Sequence, residues 1–157
     1  MFIPISNKEP SVFESHPLKD IYQEIREVYL SDDRPWIIGY SGGKDSTCAL
    51  QLIWYALKEL PAEKRNKQVH VISSDTLVES PVIVNYITNT LDKINSEANR
   101  QHMPFKAEIV RPIIDETFWV NLIGRGYPAP QTTFRWCTDR LKIRPADRFI
   151  FEKVAAY

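Results

Sequence analysis

Hydrophobic positions along the chain change period as it proceeds, and the period predicts the elements. Leu18, Ile21, Tyr22, Ile25, Val28 and Tyr29 recur three or four residues apart, the spacing of an amphipathic helix. Asp32, Asp33 and Pro35 break that pattern, and Trp36-Ile37-Ile38-Gly39-Tyr40 reads as a short apolar strand. Helical spacing returns from Thr47 to Leu60, through Leu50, Ile53, Ala56 and Leu57, until Pro61 stops it. Val69 to Ser73 predicts a second strand ending in the polar turn Ser74-Asp75-Thr76. Ser80-Pro81 is an N-cap followed by proline at the first helical position. The helix it opens carries Val84, Ile87, Leu91 and Ile94 on one face and fades near Arg100. Lys106 to Val110 is the third strand. Strand–helix–strand–helix–strand predicts an α/β three-layer sandwich, with a mainly parallel twisted sheet covered by helices on both faces. Further on, Phe118 to Ile123 reads as a short helix closed by Gly124 as its C′ residue. Gly126 to Pro130 reads as an extended loop, and Pro145 as the start of a last helix.

The 157 residues suit a single domain, with residues 1–34 as a lead-in segment carrying the first helix. Lysine plus arginine and aspartate plus glutamate stand at 20 each, so no global field draws the protein to DNA or a membrane. Any nucleic-acid contact must come from a local patch. No apolar stretch is long enough to span a bilayer, and the start carries no signal-peptide pattern. With two cysteines and no C-x-x-C, the expectation is a cytoplasmic protein. His16, His70 and His102 lack metal-ligand spacing and read as surface or satisfied side chains.

Glycine changes the picture. There are only 5, in two groups: Gly39, Gly42 and Gly43, then Gly124 and Gly126. A glycine pair directly after a strand and directly before a helix is suited to an anion, because loop amides and the helix N-terminus point at it. A Walker A loop fails at Ile38 and at Asp45, and the G-x-G-x-x-G fingerprint is not met either. What stands is Ser41-Gly42-Gly43-Lys44-Asp45-Ser46. The amides of Gly42 and Gly43, with the hydroxyls of Ser41 and Ser46, would take pyrophosphate oxygens. Lys44 would offset charge developing as the α–β phosphate bond breaks. Asp45 would tolerate phosphates through a Mg²⁺ ion. Gly39 reads as a strand residue that lets a neighbour pack closely. Asp75, at the end of the second strand, either contacts the ribose or metal of a nucleotide or closes an Asx turn with Thr76. Gly124 and Gly126 are either a helix stop or part of a substrate loop.

Ser41 to Ser46 resembles the SGGKDS loop of the PP-loop ATP pyrophosphatase superfamily, which includes phosphoadenylylsulfate reductases. The segments YSGGKDSTCALQLIWYAL, VHVISSDTLVESPV, FWVNLIGRGYPAP and FRWCTDRLKIRP look more narrowly like the N-terminal part of DndC-type DNA phosphorothioation sulfurtransferases. The resemblance implies an adenine nucleotide alpha hydrolase-like fold and an ATP-dependent enzyme that inserts sulfur into the DNA backbone. It implies ATP and Mg²⁺ as cofactors, DNA as substrate, a cysteine desulfurase as sulfur source, and a 4Fe-4S cluster. The alternatives are a phosphoadenylylsulfate reductase-like oxidoreductase and a non-catalytic nucleotide-binding assembly module. The reductase-type Glu-Cys-Gly motif is missing here.

In the last segment, Arg135, Arg140, Lys142, Arg144 and Arg148 outnumber Asp139 and Asp147. Arg135, Arg140 and Lys142 suit the phosphates of a nucleotide or of DNA, while Arg144 and Arg148 read as a solvated helix face. Basic neighbours of Cys137 would favour its thiolate, the form that attacks sulfur or binds metal. The resemblance makes Cys137 an iron–sulfur ligand whose companions would lie outside this chain, which reads as a truncated domain. Cys48 reads as a packed small hydrophobe.

Overall fold

Three strands, β1 (Trp36–Gly39), β2 (Val69–Ser74) and β3 (Phe105–Val110), pair in parallel and in sequential order in the computed structural model, which describes residues 17–154. Trp36 lies opposite Val69 and Val69 opposite Phe105, so Trp36, Ile38, Val69, Val71, Phe105 and Ala107 share one face. Among the described residues four longer helices accompany the sheet: α1 (Leu18–Leu30), α2 (Lys44–Lys58), α3 (Pro81–Arg100) and α4 (Arg144–Val154). The architecture is thus mixed α/β, as the alternating periods predict. β2 is the central strand, and all but its last residue are buried, which matches its unbroken run Val69-His70-Val71-Ile72.

Helices cover both faces of the sheet, but unequally. Tyr29 of α1, Leu50 and Leu57 of α2, and Leu91 and Ala98 of α3 all join the core on the Val69–Val71 face. Sequential strand order explains this: both crossovers step in the same direction, and crossovers of one hand then fall on one side. The second face is covered by α4, which packs on β2 and β3 and sets Phe149 edge-on to the buried His70 at 5.4 Å. On the core face Trp54 of α2 stacks on Phe105 with ring centres 4.6 Å apart, worth about 0.5–1.5 kcal/mol beyond its area.

Element boundaries carry the sequence signals with three corrections. Ser80 caps α3, its hydroxyl accepting the Val82 amide at 3.3 Å, and Pro81 takes the first position. α2 begins at Lys44, not Thr47, so Lys44, Asp45 and Ser46 form its first turn. Polar residues do not register in hydrophobic periodicity, and the helix therefore read as three residues too short. Gly124 is not a left-handed C′ residue: it ends a π-helical turn, Val120–Gly124, and the positive φ of +67° falls on Gly126. There the chain turns into the extended stretch before Pro128.

From Trp136 to Val154 the chain is helical without interruption: an α turn Trp136–Thr138, a π turn Asp139–Ile143, then α4. Pro145 therefore sits inside a continuous helical run and does not open it. Proline has no N–H and its ring collides with the carbonyl four residues back; the widened π turn just before it relieves both demands. His16 lies outside the described residues.

Candidate functional site

The carboxyl ends of β1 and β2 form the floor of a cavity of about 430 Å³. Gly39, Tyr40 and Ser41 line it from the first strand and its loop, Ser73, Ser74 and Asp75 from the second, and Ile83, Val84 and Ile87 from α3. Lys142 and Ala146 reach it from the C-terminal helical run. Ligands of open parallel sheets bind outside the carboxyl ends of the strands, and this cavity stands there. Its walls are apolar on the α3 side and polar where the two strands end.

The glycine loop is tied together by its serines. The Ser41 amide donates to Ser46 Oγ at 3.3 Å, the two hydroxyl oxygens lie 3.1 Å apart, and Ser46 Oγ donates to the Gly43 carbonyl at 3.2 Å. The Gly43 amide meets Ser41 Oγ at 3.4 Å. Gly42 has a φ of +74°, and a Cβ there would meet Ile87 Cδ1 at 2.7 Å and Tyr86 Cε1 at 3.1 Å. Gly42 is thus demanded by its backbone conformation, while the Ile87 methyl is the tip of a flexible side chain and could give way. Gly43 is the N-cap of α2 without a side-chain cap bond, leaving the amides of the helix start for a ligand. Lys44 and Asp45 are exposed on that first turn. A cation beside the positive end of a helix is unfavourable alone, so Lys44 suits this place when an anion lies between them.

Gly39 does not bring a neighbour close. It is exposed, nothing lies within 4 Å of where its Cβ would be, and its bare backbone lines the cavity floor. Asp75 closes an Asx turn, with the Leu77 amide rather than Thr76 as donor, 3.0 Å from Oδ1. That bond accompanies the left-handed Leu77, at φ 62°. Asp75 Oδ2 accepts from Arg111 Nε at 2.9 Å, so the carboxylate that lines the cavity already has a cationic partner. Arg111 is a site-adjacent residue that no local signal announces.

The basic segment divides. Lys142 lines the cavity and is exposed. Arg140 does not line it; its guanidinium donates to the Tyr127 hydroxyl at 2.8 Å and lies 5.2 Å from that ring's centre. Arg135 is exposed and precedes the helical run as its N-cap residue. Arg144 and Arg148 remain open to solvent on one side, as a helix face would, but are not free: both bind the buried Glu116, at 2.6 and 3.3 Å. Arg144 also donates to Asp139 at 2.9 Å, and these carboxylates raise its pKa, Glu116 first. Cys137 is half-buried, while Cys48 is exposed on α2 and not packed as its apolar neighbours suggested.

Asp45 is a suitable ligand for Mg²⁺, which takes one or two carboxylates and completes its shell with phosphate oxygens and water. Among the described residues no three His, Cys, Asp or Glu side chains gather to hold a metal ion. Cys137 by itself does not fit a four-thiolate cluster, whose ligands must all be supplied. No described helix is long and apolar enough to cross a membrane.

No protein-family model matches the chain, and no solved structure matches it. An uncharacterized protein of Methanocaldococcus jannaschii is 31% identical over 128 residues, covering 82% of this chain and 22% of that protein. The chain thus spans about a fifth of the length of the relative it matches. Similarity over most of the chain to a protein without an assigned activity leaves the chemistry to be argued from the loop and its cavity.

Proposed function

We propose that the chain is a PP-loop nucleotide-binding domain that holds ATP–Mg²⁺ at the Ser41–Ser46 loop and cleaves it to AMP and pyrophosphate. The observation that carries this reading is the loop itself. A Gly-Gly turn with φ of +74° at Gly42 follows a parallel strand, opens a helix whose first amides are uncapped, and adjoins a cavity at the strand ends. Pyrophosphate oxygens would lie against the amides of Gly43 and the first turn of α2, with Ser41 and Ser46 turning their hydroxyls from each other to the ligand. Lys44 stabilises the charge that collects on the departing pyrophosphate. Asp45 would hold a Mg²⁺ ion, which would supply positive charge to offset that of the phosphates. The nucleoside end would extend into the cavity, where Ile83, Val84 and Ile87 offer an apolar wall.

The protein to which this domain belongs would use that cleavage in DNA backbone phosphorothioation. A DNA phosphate oxygen attacks the α-phosphorus and pyrophosphate leaves; the terminal sulfur of a desulfurase-derived persulfide then displaces AMP, and a second thiol cleaves the S–S bond, leaving the phosphorothioate and a disulfide. Lys142, exposed at the cavity, is the residue of the basic segment best placed to receive that second phosphate. Arg135 and Arg140 keep a place in this reading only as DNA contacts beyond the cavity.

Lys44→Ala is the test. Pyrophosphate release should fall by about a hundredfold or more, the scale of losing one group that stabilises transition-state charge. Release at the wild-type rate would overturn the role given to the loop. ATP affinity without pyrophosphate release in the unsubstituted protein would select a nucleotide-binding assembly module, and thiol-dependent sulfite release from phosphoadenylylsulfate would select the reductase.

A further inference from the structure

A second cleft, of about 390 Å³, opens between α2 and α3 and shares only Tyr40 with the first cavity. Its composition is unusual for a groove between two helices packed on a sheet. Three aromatic residues line it: Tyr40, buried at the end of β1; Trp54, backed by Phe105; and Tyr55, half-exposed. Lys58 from α2 and Lys93 from α3 stand on its rim, both exposed and both outside the ion pairs formed among the described residues. The carboxylate in the cleft, Glu97, is already engaged by Arg100 and by the Gln101 amide. Two lysines, one from each helix, thus border an aromatic-lined cleft whose carboxylate is bonded to Arg100 and Gln101 and feels Lys58 more weakly.

We propose that this cleft binds a planar aromatic anion of nucleotide size, its ring against Trp54 and Tyr55 and its anionic group between Lys58 and Lys93. The volume falls within the range of small-molecule sites, of roughly 300–1,000 Å³, and the lining follows their rule of an apolar body with few placed charges. Aromatic rings accept any flat ring, and a lysine on each wall selects for negative charge over neutral rings of the same shape. The floor is rigid where it matters, since Trp54 is stacked from within and Tyr40 is held by its amide to the Ile72 carbonyl at 2.8 Å. The site does not depend on ATP cleavage at the loop.

The measurement is an NMR titration of the Trp54 indole N–H, assigned by comparison with Trp54→Phe. Four probes are used: dAMP, adenosine, deoxyribose 5-phosphate and a single-stranded deoxyadenylate dodecamer. dAMP should shift the signal saturably, with adenosine and deoxyribose phosphate each binding at least tenfold more weakly. Lys58→Ala and Lys93→Ala should each weaken dAMP roughly three- to fivefold, and Tyr55→Ala roughly five- to a hundredfold. These three side chains are exposed at the surface, so their removal leaves the core intact. A dodecamer that binds more tightly than dAMP, with affinity falling in salt, identifies a nucleic-acid strand as the source of the ligand. Equal affinities identify free nucleotides. Absence of a saturable shift, equal binding of deoxyribose phosphate and dAMP, or indifference to all three variants would overturn the proposal. Lys44→Ala should leave the titration unchanged while removing pyrophosphate release, so the two sites fail or stand separately.

Discussion

Lys67 is a buried lysine two residues before β2, and its surroundings show how a charge is kept below the surface. Its ammonium donates to Asp32 Oδ1 and to the Asp32 carbonyl, each at 3.0 Å, and lies 4.7 Å from the Tyr29 ring centre and 5.4 Å from that of Trp36. Tyr29 completes the knot by donating to the Lys67 carbonyl at 2.7 Å, and burial raises its pKa. Hydrogen bonds from Lys67 first, then Arg34, lower the Asp32 pKa to about 2. A carboxyl whose folded pKa is depressed contributes stability above its unfolded value, near pH 4, and loses it as pH falls toward the folded one. Wild-type stability should therefore decline between about pH 4 and pH 2. Asp32→Asn should be less stable at neutral pH and show a flatter acid limb, as read by urea denaturation across that range. An unchanged acid limb would mean that Asp32 does not titrate as its partners demand. Pairs such as Lys67 with Asp32, or Asp75 with Arg111, were not legible in the sequence, because the partners are joined only by the sheet and lie 35 and 36 residues apart. The glycine loop was legible, because all its parts are adjacent.

At the scale of elements, β3 exposes one edge of the sheet, and α3 covers part of it. In a parallel sheet a residue's N–H and C=O point to the same side, so Ala107 turns both away from β2. Asn95 of α3 answers with its whole amide: Ala107 N donates to Oδ1 at 2.7 Å, and Nδ2 donates to the Ala107 carbonyl at 2.9 Å. One side chain thus acts as a single residue of a fourth strand and blunts an edge that could pair with another chain. Asn95→Ala leaves both backbone groups without a partner and should cost about 1–3 kcal/mol in urea or thermal unfolding. A loss within a few tenths of a kcal/mol would mean that water replaces the amide at little cost. The elements up to Val110 followed from hydrophobic period because each buries one face against the same core. After Ile113 that legibility fades. A π turn and an α turn spend apolar residues alike, and Val120–Gly124 and Asp139–Ile143 leave no distinguishing period.

Over the whole molecule, the C-terminal helical run is joined to the sheet and to the preceding turn by few but specific contacts. Glu116, in the 3₁₀ turn Ile114–Glu116, is buried and binds both Arg144 and Arg148. His70 and Glu108, 3.2 Å apart on the second face, lie beneath α4 with Phe149 against the imidazole. Glu108 has a lowered pKa: burial alone would raise it, and the bonds from Lys106 and His70 outweigh that. Glu116→Gln keeps the shape of the side chain and removes the charge that holds two arginines. Amide hydrogen exchange in α4 should then quicken by roughly tenfold while β1 to β3 keep their protection, a local opening rather than global unfolding. Uniform loss of protection would show that α4 and the sheet open as one unit.

The π turn Asp139–Ile143 has a consequence for how this segment can vary. A π turn is one residue more than the α turn it replaces, and one residue of helix is worth about 100° of rotation. On one side of it lies Cys137; within it stands Lys142 at the cavity; just after it comes Arg144 on Glu116. A deletion of a single residue here would close the turn into regular helix and swing everything upstream around the axis. The chain could then keep the ion pairs of α4 or the bond from the Trp136 indole to the Pro128 carbonyl, but not both. The extra residue sets the phase between two anchors on either side of the turn, so the length of this stretch matters as well as its residues.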